Sequence, residues 1–234
     1  MSSEGGGLTI ATYNVHGWIG RDAIADHERT MEAVARLEAD VVALQEVFVP
    51  VDVDPQSERR DIEKVTGMSV CFGPNLVHSG RSYGNALLTS LEIAETNEWD
   101  ISVPEREPRG ALEVRLVEGE LRLRVLATHL GTGLEERDTQ LTRLLEIVDR
   151  DPRIPTVLLG DLNEWRPWSR RFAALLRRFE PGRAAPSFPV AAPLFSLDRI
   201  LVRNARVVSP PRAVVSPLTR VASDHLPLRA EMAF

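Results

Sequence analysis

The apolar run Thr156-Val157-Leu158-Leu159 closes on Gly160-Asp161-Leu162-Asn163. A β-rich run that ends this way reads as a buried strand delivering two polar side chains at its C-terminal mouth. Residues two apart point the same way in an extended chain, so Asp161 and Asn163 are expected to face one substrate. Other strand ends carry hydrophilic residues that a core would not choose: Asn14, Glu46, Asn85, His129, Asp198, and Asp224 with His225. Each has a bland reading. Asn14 and Asn85 suit turns, Glu46 a solvated strand end, His129 a hydrogen-bonded place in the core, and Asp198 a pairing with Arg199. Taken together the bland readings need many independent coincidences.

The elements that must carry these residues follow from the apolar pattern. Residues 8 to 15 read as a first strand, broken by His16-Gly17. From Asp26 a helical face runs through Met31, Val34, Ala35 and Leu37, and residues 40 to 46 form a second strand ending in the Glu46 carboxylate. Strand, helix, strand at this length is a βαβ-like start. Residues 55 to 66 suit a short charged helix and residues 84 to 90 another strand. A hairpin over 111–117 and 121–126 turns at Glu118-Gly119-Glu120 and continues to His129. An amphipathic helix follows, with Leu134, Leu141, Leu145 and Val148 on one face, leading to the strand that ends at Asp161. Between Trp165 and Arg183 the spacing of Trp168, Phe172, Leu175, Leu176 and Phe179 predicts a helix with Arg170, Arg171, Arg177 and Arg178 off the apolar stripe. Strands over 196–202 and 205–208 and a closing segment from Ser223 complete the chain.

With 234 residues, 43% hydrophobic and 26% charged, composition fits one ordinary globular domain over residues 8–234, preceded by a flexible tail at 1–7. A net charge of −6 gives no global basic field and argues against a non-specific nucleic-acid coat. The lone cysteine, Cys71, excludes an internal disulfide and a cysteine-based zinc site. The small, polar start has no signal-peptide pattern and no apolar run reaches membrane-spanning length, so a cytoplasmic monomer is the expectation.

Thr12-Tyr13-Asn14, Leu44-Gln45-Glu46, Thr128-His129, Gly160-Asp161-Leu162-Asn163 and Ser223-Asp224-His225, in that order, resemble the endonuclease/exonuclease/phosphatase superfamily. The resemblance spans the chain from residue 8 onward. It implies an α/β (α+β) four-layer αββα sandwich of two packed, mostly antiparallel sheets flanked by helices. It also implies hydrolysis of a phosphate ester with a divalent cation, Mg²⁺ or alternatively Mn²⁺. A hard cation prefers oxygen ligands, which suits Glu46 and the amide oxygen of Asn14, with Asp224 at a second-metal or outer position. Asp161 is implied as the base for the attacking water, assisted by Asn163. His225 paired with Asp198 is implied as a charged donor, and His129 as a donor or general acid on the leaving-group side. Asn85 and Arg109 are expected to contact phosphate.

The sequence departs from the abasic-site enzymes. His16 stands where those enzymes carry an acidic residue, and Tyr83-Gly84-Asn85-Ala86 stands in place of their tyrosine-bearing phosphate loop. Residues 81–87 and 196–200 look more like small bacterial members of the superfamily. A phosphodiester is favoured over a monoester, with nucleic acid and phospholipid-like substrates nearly level. The arginines of 165–183 are expected to meet an anionic surface. The reading from another class, a silent binding module, would be marked by loss of Glu46, Asp161 or His225, and all three are present.

Overall fold

The structure, a computed structural model, describes residues 7–50, 55–78, 81–166 and 168–234. The expected tail therefore lies outside the described residues, except for Gly7, which opens the first strand. β1 (Gly7–Asn14) and β2 (Val41–Pro50) run parallel, joined through α1 (His27–Ala35), which starts where the Asp26 carboxylate accepts the Arg29 N–H. After α2 (Pro55–Thr66) come β3 (Ser69–His78) and β4 (Arg81–Thr89). With β10 (Arg206–Ala213) and β11 (Leu228–Ala233) these form a sheet in the order β10-β11-β1-β2-β4-β3. A second sheet, β5-β6-β7-β8-β9, comprises β5 (Glu92–Asp100), β6 (Gly110–Glu118), β7 (Leu121–His129), β8 (Thr156–Asp161) and β9 (Asp198–Arg203). β1–β2 and β7–β8 are parallel, and the other paired strands are antiparallel.

The alternation within each strand explains the layers. Ile10, Val41, Ala43 and Ala230 of the first sheet meet Val114, Val125, Val157 and Leu159 of the second in a central core. The intervening residues Ala11, Tyr13, Val42 and Leu44 pack outward under α1, through Met31 and Val34. On the other side Leu126 and Leu158 pack under α3 (Leu134–Asp149) and α4 (Arg170–Leu176), completing the αββα sandwich. Strands buried on both faces need continuous apolar runs, and Thr156 to Leu159 is such a run. Among the described residues no helix is long and apolar enough to cross a membrane.

Four expectations are corrected. β2 does not end at Glu46. It continues to Pro50 through a register shift between Leu44 and Val47, where Glu46 takes a φ of +58°. The buried face of α3 is Leu141, Leu144, Ile147 and Val148, while Leu134 is exposed. Between 165 and 183 the helix covers only Arg170–Leu176, because the Ser169 hydroxyl accepts the Phe172 N–H and starts it there. Trp168 therefore precedes the helix and is 71% exposed instead of joining the apolar stripe. Finally, β3 and β5 were absent from the sequence expectation.

Candidate active site

Strand register assembles the first row of the site. His129 pairs with Asp161 across β7 and β8, and Asp161 with Asp198 across β8 and β9. Register partners project to the same face of a sheet, so three residues far apart in sequence become neighbours. The end of β1 crosses this row from the other sheet. There the Asn14 amide nitrogen donates to Asp161 Oδ2 at 3.2 Å and to Glu46 Oε1 at 3.0 Å. The bulge in β2 turns Glu46 toward Asn14, while Gln45 stays buried and accepts from the Thr12 hydroxyl. The Asn14 oxygen accepts the His16 N–H at 3.0 Å, which fixes the amide, and an amide oxygen keeps a second lone pair.

The loop before β11 brings in the sixth side chain. The Ser223 hydroxyl donates to the Asn14 carbonyl at 2.7 Å and accepts the His225 N–H at 3.2 Å. His225 Nδ1 then lies 2.9 Å from Asp198 Oδ2 and Nε2 lies 3.7 Å from Asp161 Oδ2. Asp198 is fully buried. Its Oδ2 also accepts from the Ser187 hydroxyl, whereas Oδ1 is without a hydrogen-bond partner.

Electrostatics separates the roles. Burial, followed by the negative charge of Asp198, pushes the Asp161 carboxyl up to about 7, against the opposing pull of His225, the Asn163 N–H and Asn14. Burial alone would lower His225, but the charge and hydrogen bond of Asp198, with Asp161 and Asp224 beyond, raise it to about 10. His225 is thus an imidazolium at neutral pH. His129 goes the other way, held well below the ordinary histidine value by burial, then by Arg109 and His225. Geometry agrees. Arg109 Nη1 faces Nδ1 at 3.3 Å and the Asn163 amide nitrogen faces Nε2 at 3.1 Å, so a doubly protonated ring would oppose a donor on each side. His129 is held as a neutral imidazole, which supports a hydrogen-bonding role and not delivery of an imidazolium proton at neutral pH.

Asn163 reaches the site differently from the extended expectation. Its φ is +50°, its amide donates to the Leu130 carbonyl at 2.8 Å, and its own N–H binds Asp161 Oδ1 at 2.9 Å. Asn85 and Arg109, expected on phosphate, are buried beneath the site. Asn85 donates to the Gly110 carbonyl, and Arg109 is divided between His129 and Glu107. Asp224 stands apart from the cluster, more than a third exposed, 3.8 Å from His16. Ser187 escaped the sequence reading, since a lone serine in a Pro- and Ala-rich stretch carries no signal.

The position before Asp161 is fixed by sterics. Gly160 has a φ of +137°, and a Cβ there would overlap the Thr128 carbonyl oxygen of β7. Gly160→Ala is expected to cost at least ~2 kcal/mol, or a fall of roughly 5 °C in melting temperature, by pushing β8 off β7. A thermal melt matching that of the parent chain would show that this close approach does not constrain the strand.

Among the described residues of the site, two donor sets are available to a cation. Asp161, Asp198 and His225 offer three ligand atoms within 4.8 Å of one another. An imidazolium has no lone pair to give, and the buried Asp198 is already paired with it, so this set suits proton sharing. Glu46, partly open to solvent, and the Asn14 oxygen form an oxygen-only set that fits a hard divalent cation better.

The family model described as the Endonuclease/Exonuclease/phosphatase family matches residues 11–225. The uncharacterized protein YbhP of Escherichia coli (strain K12) is 33% identical over 218 residues, covering 86% of this chain and 86% of that protein. A functionally unknown conserved protein from Enterococcus faecalis V583 superposes with a TM-score of 0.78 at 23% identity, over 97% of this chain and 99% of that one. The mannosyl-6-phosphatase of Bacteroides thetaiotaomicron VPI-5482 superposes with a TM-score of 0.70 at 16% identity, over 97% and 100%. These two likenesses speak to the fold. Fold and site define a two-sheet scaffold whose members are phosphoester hydrolases. The chain belongs to the endonuclease/exonuclease/phosphatase family.

Proposed function

We propose that this chain is a divalent-metal-dependent phosphodiesterase acting on nucleic acid or a phospholipid-like substrate. The observation that carries the reading is the convergence of Asn14, Glu46, Asp161 and the Asp198–His225 pair at one strand-end cluster drawn from both sheets. Glu46 and Asn14 would hold a divalent cation, Mg²⁺ or Mn²⁺, which would supply positive charge against the phosphoryl oxygens. Asp161 Oδ2 accepts the proton of the attacking water, and an acceptor poised near 7 is well matched to that task. His225, kept protonated by Asp198, places fixed positive charge where a non-bridging oxygen gains negative charge. Asn163 and neutral His129 stand on the leaving-group side, where their mutual contact would be exchanged for hydrogen bonds to substrate.

The test is hydrolysis of a panel of phosphodiesters, nucleic acids, phospholipids and phosphomonoesters, with Mg²⁺, Mn²⁺ or chelator. Diester hydrolysis that requires added metal and falls as pH rises through about 10, where His225 loses its proton, is the expected result. Monoester hydrolysis alone would move the reading to a phosphatase. Loss of all activity across the panel would leave a binding module.

A further inference from the structure

Among the described residues, the large apolar side chains with the greatest exposure include several close to the site. Leu194 is 73% exposed, Trp168 71%, Trp165 54% and Phe195 46%. Residues 190 to 195 read Val-Ala-Ala-Pro-Leu-Phe, a loop without a single charge, with Ala191 and Ala192 also exposed. Its base is fixed. The Leu194 and Phe195 N–H groups both donate to the Phe188 carbonyl, at 2.9 and 2.8 Å, and the Val190 N–H donates to the Asp224 carbonyl at 2.7 Å. Phe188 packs its ring 4.7 Å from that of His225, so the loop is built on the same segment as the charged donor. Trp165 follows Asn163 by two residues. Between the two segments lies a cavity of about 250 Å³ lined by Trp165, Arg166, Leu194, Phe195 and Arg199, among others.

Exposed apolar surface of this kind is uncommon on a protein that stays alone in water. Tryptophan and leucine gain by entering the boundary layer of a bilayer, and arginines beside them gain from anionic headgroups. Arg170 and Arg171 stand exposed just past Trp168 and the buried Ser169, and Arg166 lies between the two tryptophans in sequence. Arg166 is paired with Glu164 at 3.0 Å, so the exposed Arg170 and Arg171 are the cations this stretch of sequence offers beside the tryptophans. A nucleic-acid strand would use the tryptophans and Phe195 for stacking, but it needs cations along its path and gains little from the exposed Leu194, Ala191 and Ala192 of the uncharged loop.

We propose that Trp165, Trp168 and the 190–195 loop form a docking surface for an anionic lipid membrane, flanked by Arg170 and Arg171. Docked there, the site faces the headgroup layer, and the ester it cleaves is that of a membrane phospholipid. The inference deepens the phosphodiesterase reading by choosing between its two substrate classes.

The test is sedimentation of the full chain with sucrose-loaded vesicles, either phosphatidylcholine alone or an equal mixture with phosphatidylglycerol, followed also by tryptophan fluorescence. The parent chain is expected to bind the mixed vesicles with a blue shift as Trp165 and Trp168 leave water. The double variant Trp168→Glu/Leu194→Glu should bind at least tenfold more weakly. Arg170→Gln/Arg171→Gln should lose roughly tenfold on mixed vesicles only, and more salt should erase the difference. Hydrolysis of a small soluble phosphodiester should be unchanged in both variants, which verifies an intact fold. The proposal is overturned if the parent ignores both vesicles, if the variants bind as the parent does, or if these residues support binding of single-stranded DNA but not of vesicles. Vesicle binding needs no turnover. A chain that docks but hydrolyses nothing would overturn the phosphodiesterase reading alone, and one that hydrolyses soluble diesters without docking would overturn this proposal alone.

Discussion

Asp161→Asn is expected to lose at least roughly 10²-fold in turnover and yet to melt at a higher temperature than the parent chain at pH 8. The amide keeps the size of the side chain and can still accept from the Asn163 N–H, while its NH2 then faces the Asn14 donor and offsets part of the gain. It cannot take a proton from water. The stability gain follows from the direction of the carboxyl's shift. Its folded value is raised to about 7, chiefly by burial, so the folded chain holds a proton that the unfolded chain has released. That contribution is fully present below the ordinary carboxyl value near 4 and is lost as pH rises through about 7. At pH 8 the parent therefore carries a buried charge that opposes folding, and the variant does not. His225, also raised, loses its contribution between about 6.5 and 10, and it is present in both chains. Melts with chelator at pH 5 and pH 8 isolate the difference, expected to be roughly 5 °C larger at pH 8 than at pH 5, where about a third of the loss has already accrued. Turnover near the parental rate would remove Asp161 as the base. Equal melting temperatures at pH 8 would show that Asn14 and His225 fully compensate the buried charge.

The residues that could be read in advance share one property: they stand where an apolar run stops. Asn14, His129 and Asp161 each close a strand whose inner and outer faces are both buried, so the change from apolar to polar is abrupt in the sequence. Asp198 is legible for the same reason in reverse, as the polar residue that opens β9, and His225 as a polar residue in the loop just before the apolar start of β11. Position was harder to read than membership. Glu46 depends on a bulge, and nothing in Leu44-Gln45-Glu46-Val47 announces one. β5 is an edge strand whose residues are exposed or only half-buried, so it lacks the alternation that would mark it. β3 carries Gly73 and Pro74 within its length, which weakens any strand signal. Trp168 shares the spacing of Phe172, Leu175 and Phe179, but spacing places a side chain on a helix face only if the helix includes it. Arg109 is expected on phosphate from the family resemblance. Only the fold reveals that His129 already occupies that arginine.

Glu46→Gln should abolish most turnover and weaken divalent-ion binding at least roughly tenfold, with no change in melting temperature in chelator. The glutamine oxygen can still accept from Asn14, so the bulge and the Asn14 bridge to Asp161 are expected to persist. What disappears is the negative charge on the oxygen-only donor set. The competing location is the buried group of Asp161, Asp198 and His225, which geometry alone would also allow a cation to use. The two locations respond to different substitutions. A cation held between Glu46 and Asn14 is insensitive, to first order, to Asp198→Asn, which instead releases His225 from the charge that raises it and moves the alkaline fall in activity to lower pH. A cation in the buried group would be lost with Asp198→Asn and retained in Glu46→Gln. Titration calorimetry of Mg²⁺ and Mn²⁺ into both variants decides the matter. Affinity that follows Asp198 would place the metal behind His225 and would remove the Asp198–His225 pair from its role as a charged donor.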